Sequence, residues 1–148
     1  MTKEMYTIEI VNVVAYFNQM DAEKLKCLPT KMRWNIKKNL GRIVPIAKQF
    51  EEFRNELVAE LQQNWFDDEH SAEVEEENGK MRKVKDEYLP DYEKAVEDVN
   101  AKLQDILVEK NTVEIDTIDV DGFVDKMPDD CPIEFEDLDV LSVFTGEA

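Results

Sequence analysis

A single histidine, two cysteines and four glycines in 148 residues are the first things this sequence shows, and each scarcity removes a class of function. One imidazole, His70, excludes any metal site built on two, and the residue itself reads as exposed and unremarkable. Cys27 and Cys131 stand far apart with no CxxC, a usage that fits a reducing compartment better than a disulfide framework. Four glycines, at Gly41, Gly79, Gly122 and Gly146, cannot build either common phosphate-cradling loop, so nucleotide binding is not expected. There is no GxSxG and no cysteine-led nucleophile signature. Long apolar runs are missing too. The N-terminal one is broken by Glu9, Asn12 and Asn18, which reads as neither a membrane span nor a signal peptide. The expectation is a soluble, cytoplasmic, non-enzymatic protein of one domain, without cofactor or metal.

What is present is charge, and it is sorted. From Lys24 to Lys48 no side chain is acidic, and every ionisable group but Cys27 is basic. After Glu51 the balance reverses, with acids at Asp67, Asp68, Glu69, Glu73, Glu75, Glu76 and Glu77 and a second run towards the C-terminus. The formal net charge of −17 disfavours direct binding to nucleic acid or anionic lipid, because phosphates need a contiguous cationic surface. Charge on this scale selects partners rather than folds.

The apolar spacing predicts a mainly α (α+β) fold. Thr7 reads as the N-cap of a first helix after a short extended start, and Asp21 to Pro29 as a connection. Thr30 then caps a long helix whose seam is Met32, Ile36, Leu40, Ile43, Ala47, Phe50, Leu57 and Leu61, with a kink expected near Gly41 to Pro45. Asn78-Gly79 suits a type I′ turn, placing an exposed acidic hairpin excursion over 66–86. Helix resumes near Pro90 with a second seam, Tyr92, Val96, Val99, Leu103 and Ile106, and the two helices pair antiparallel. Thr112 to Val120 alternates like a strand, with its parity broken as by a bulge near Asp116 and Thr117. Phe135, Leu138, Leu141 and Phe144 mark a short C-terminal helix, and the acidic segment 112–148 is expected to pack on the helices.

Few motifs carry chemistry. Asp119-Val120-Asp121-Gly122 resembles the middle of a calcium loop but puts Thr117 at its first ligand position and Pro128 at its twelfth, so the bidentate carboxylate is missing and a solvated turn is the better reading. Cys27 lies near Lys24, Lys26 and Lys31, which would make its thiol somewhat acidic; a small apolar loop residue is the plainer reading. Lys31, Arg33, Lys37, Lys38 and Arg42 with Trp34 either pair with the chain's own acids or meet an anionic partner. The sharper pattern is Glu114, Asp116, Asp119, Asp121, Asp125, Asp129, Asp130, Glu134, Glu136, Asp137 and Asp139, with Lys126 the only opposing charge. Such an array can imitate a phosphate backbone; the plainer reading is a solvated acidic tail.

The order of parts, Leu28-Pro29 before the Lys-rich helix, the run Phe50, Glu51, Glu52, Phe53, Arg54, the hairpin, then Leu107 to Thr112, the Val113 to Asp116 strand and the closing apolar-acidic helix, resembles a family of small acidic accessory proteins of unknown function encoded by phages of Gram-positive bacteria. The resemblance implies a phage protein acting in virion assembly or against a host system in the host cytosol. The function expected is an acidic, nucleic-acid-mimicking inhibitor whose C-terminal and hairpin acids contact the cationic surface of a bacterial nucleic-acid-binding enzyme or defence complex. A phage assembly chaperone or minor virion factor holding a partner helix is the alternative, and a homo-oligomer stays open.

Overall fold

The computed structural model describes residues 1–146. It is mainly α with two small antiparallel strand pairs, in the order β1 (Thr2–Tyr6), α1 (Thr7–Gln19), α2 (Ala22–Lys26), α3 (Thr30–Trp65), β2 (Ser71–Glu76), β3 (Gly79–Val84), α4 (Leu89–Leu107), β4 (Lys110–Glu114), α5 (Val120–Lys126) and α6 (Phe135–Leu141). Single 3₁₀ turns at Asp86–Tyr88 and Ser142–Phe144 precede α4 and follow α6. The chain divides into two compact units, one of Met1–Lys48 with Glu109 onward, the other Gln49–Val108.

In the first unit, β1 pairs with β4 from Thr2↔Glu114 to Tyr6↔Lys110. A two-stranded ribbon is marginal in water unless one face is covered. Met5 and Val113 turn inward from it to join Ile10, Val14 and Phe17 of α1, Ile36 and Ile43 of α3, and Leu141 and Phe144 at the C-terminal end in one buried cluster. The Phe17 and Phe144 rings stack 6.0 Å apart. Helix α1 starts one residue earlier than a Thr7 cap requires: Thr7 is its first residue, buried, and donates its hydroxyl to the Glu109 carbonyl, while Glu9 accepts the N–H of Tyr6. The connection expected over Asp21 to Pro29 holds a helical turn, α2, capped by Asp21.

The strand expected over Thr112 to Val120 stops at Glu114, and no bulge is needed to reconcile its parity. Ile115 and Ile118 are both buried because the chain leaves the ladder and is caught by α3. Asn39, fully buried, donates from its amide to the Asp116 carbonyl at 2.9 Å and accepts the Asp116 N–H at 2.7 Å, and Asn35 donates to the Thr117 carbonyl at 3.2 Å. Backbone groups that a sheet would have paired are thus met by side chains. Val120 then opens α5, where Asp119 accepts the Gly122 N–H at 2.9 Å. A Cβ on Gly122 would lie 2.2 Å from the Asp119 carboxylate, so the Asp-Val-Asp-Gly run is a helix cap in which a larger residue at 122 must displace the capping side chain.

In α3, Pro45 stands inside a continuous helix and does not end it. The second unit holds the latter part of α3, with Phe50 and Leu57 buried, and α4, whose predicted seam is half-buried throughout. Trp65 and Phe66 reach Tyr92 with ring centroids 6.1 and 5.7 Å apart, the contact a helical hairpin makes at its closed end. The β2–β3 hairpin has the two-residue connection Glu77-Asn78. Its turn is not type I′, since neither of those residues has positive φ and the one positive value is at Gly79, +118°. As the charge of its flanks implied, the hairpin is exposed apart from Ser71 at its root and the half-buried Arg82 and Val84.

Candidate functional site

The acidic array of the first unit falls into two sets. Asp116 and Asp137 are taken up internally. Asp116 pairs with Arg42 at 2.8 Å and Lys38 at 3.4 Å, and the Arg42 guanidinium beside it is the main reason its carboxyl is held below the usual range. Asp137 is 1% exposed. It accepts from the Tyr16 hydroxyl, from the Glu134 N–H at 2.8 Å and from Lys24 at 3.0 Å. Burial alone would raise its pKa, but these three donors outweigh that and hold it low. The same contact pushes the Lys24 ammonium up, and burial together with the neighbouring carboxylates pushes the Tyr16 phenol up. Asp119 is occupied as the α5 cap. The rest, Glu114, Asp121, Asp125, Asp129, Asp130, Glu134, Glu136 and Asp139, are exposed and form no ion pair among the described residues.

The cations of Lys24 to Lys48 split in the same way. Lys24, Lys38 and Arg42 pair with the C-terminal acids and Lys26 pairs with Glu23, whereas Lys31, Arg33, Lys37 and Lys48 are exposed and have no carboxylate partner among the described residues. Arg33 and Lys37 border an apolar groove of about 510 Å³ whose other walls are Phe17, Leu25, Thr30, Trp34, Ile36 and Leu40. Trp34 is 54% exposed. The C-terminal residues that a docking face for a partner helix would have used are turned elsewhere: Leu141 and Phe144 are fully buried, while Phe135, the first residue of α6, is 85% exposed. The sequence spacing had placed Phe135 in the seam with them.

In the second unit the hairpin acids are partly matched by hairpin cations. Arg82 binds Asp68 at 2.6 Å, the Ser71 hydroxyl at 2.7 Å and the Phe66 carbonyl at 3.0 Å, and Lys83 pairs with Glu76. Glu69, Glu73, Glu75 and Glu77 are exposed. His70 is half-buried rather than exposed. Its ring lies 2.7 Å from the Asp67 carboxylate and against Trp65 and Tyr88, and its N–H and ring hold the Asp67 pKa down. Asp67, Glu69 and His70 bring three ligating atoms within 4.8 Å of one another, but the Asp67 oxygen on His70 is already engaged.

Cys27 and Cys131, separated by more than a hundred residues in sequence, are neighbours in the fold. The nearby lysines do not make it acidic: partial loss of water, the Cys131 contact and the charges of Asp130 and Glu23 push it up. The signals that sequence reading missed are of one kind, polar residues spent on structure. Asp137 was legible only as the third residue after Glu134 in a cap whose first member is not Ser or Thr. No helix among the described residues is long and apolar enough to cross a membrane. No family model, curated protein or solved structure matches this chain.

Proposed function

We propose that this chain is a non-enzymatic, phage-encoded inhibitor that offers the exposed carboxylates of its C-terminal part to the cationic nucleic-acid-binding surface of a bacterial enzyme or defence complex in the host cytosol. One observation carries the reading: Asp121, Asp125, Asp129, Asp130, Glu134, Glu136 and Asp139 remain exposed and without ion-pair partners among the described residues after the fold has used Asp116, Asp119 and Asp137. Unpaired carboxylates at this density repel one another, a cost that a cationic partner removes. The hairpin acids form a second, smaller set in their own unit.

The test is affinity capture from a bacterial host at low salt, followed by elution with rising salt. A cationic nucleic-acid-binding protein retained by the chain, and lost when Asp129, Asp130, Glu134, Glu136 and Asp139 are changed together to Asn or Gln, is the expected result. Retention unchanged by those substitutions contradicts the reading.

A further inference from the structure

The first unit carries a plug as well as a socket. The socket is the groove beside α3, apolar inside and bordered by Arg33 and Lys37, which have no carboxylate partner among the described residues. In a chain with a net charge of −17, an apolar hollow edged by free cations is matched to an occupant that is apolar at its tip and acidic around it. Among the described residues the most exposed large apolar side chain is of this kind: Phe135, 85% exposed at the start of α6, lies between the exposed carboxylates of Glu134 and Glu136. The ring does not line its own groove.

We infer that two copies of this chain associate reciprocally, each placing Phe135 in the other's groove with Glu134 and Glu136 against Arg33 and Lys37. The same patch then serves on both copies, which closes the pair about a two-fold axis and leaves no open chain of contacts. A buried aromatic anchor with charges at its edge is how small interfaces concentrate their energy. Opposing it is the repulsion between two strongly anionic chains. That repulsion is long-ranged, and salt near physiological strength confines it to about 8 Å while the close pairs persist. The contact is therefore weak and concentration-dependent. It does not rest on the inhibitor reading, and Phe135→Ala separates the two: that variant loses self-association with every array charge in place, so its target binding is measured independently.

Sedimentation of the full chain in 0.15 M salt, from about 10 µM to about 1 mM, tests it. A monomer–dimer equilibrium is expected, abolished by Phe135→Ala, by the pair Arg33→Glu and Lys37→Glu, and by the pair Glu134→Lys and Glu136→Lys. Mixing the two charge-reversed variants should restore a heterodimer, since both contacts are then complementary, a result that misfolding of either variant does not produce. Single-tryptophan fluorescence of Trp34, in a Trp65→Phe background, should shift to the blue as the dimer forms. A monomer throughout the range overturns the inference and leaves the groove to another partner. So does a dimer indifferent to Phe135, or a Trp34 signal that responds to Phe135→Ala at every concentration, which would mean the ring fills its own groove.

Discussion

Individual side chains decide which acids are free to act. Asp137 looks in the sequence like any member of the acidic run, yet it is the hub joining Tyr16 of α1, Lys24 of α2 and the first turn of α6. Local spacing marks only its cap contact with Glu134, because Tyr16 and Lys24 are more than a hundred positions away. Removing its charge leaves Lys24 and the Tyr16 hydroxyl facing a weaker acceptor, and Asp137→Asn is expected to cost about 2–4 kcal/mol at pH 7. The pH dependence follows from the lowered folded-state pKa. That stabilisation is complete above the unfolded carboxyl value near ~3.9 and is lost as pH falls through the folded one, so the gap between wild type and variant should close below about pH 4. Urea unfolding of both proteins from pH 7 to pH 3 measures it; a gap that stays constant contradicts the assignment.

Among the elements, those with strong apolar periodicity were legible: α1, α3, α4 and α6 all lie where their seams placed them, as does the hairpin. The misreadings occurred where polar side chains replace backbone partners. The parity break at Asp116 and Thr117 was visible, but its cause, capture by Asn39 and Asn35, was not, because an asparagine inside a helix carries no sequence signal for what it will bind. The β1–β4 pairing was likewise hidden, since its two short strands lie more than a hundred residues apart. Asn39→Ala should orphan both backbone groups of Asp116 and cost roughly 2–3 kcal/mol. Amide exchange at Asp116 should quicken selectively, whereas protection there equal to wild type would show that the clamp is not what holds this segment.

For the whole molecule the controlling quantity is net charge. Few of its acids are paired among the described residues, and the pairs of Asp116 and Asp137 are partly shielded, so screening by salt relieves more repulsion than it weakens attraction. Raising sodium chloride from 0.02 to 0.3 M should therefore raise the Tm by about 2–4 °C, the equivalent of roughly 1 kcal/mol. A fall in Tm would mean that the ion pairs outweigh the self-repulsion. The sequence showed the sign and size of this charge but not its division into structural and free carboxylates, which is what the fold supplies and what the proposed activity uses.

That activity is tested most directly by competition. A labelled DNA duplex is bound to the protein captured from the host, and its fluorescence anisotropy is followed as this chain is added. The account predicts that the duplex is released at near-stoichiometric ratios by the wild-type chain, and that release is lost when Asp129, Asp130, Glu134, Glu136 and Asp139 are neutralised. Undiminished anisotropy with the wild-type chain, or equal release by the neutralised variant, would contradict it.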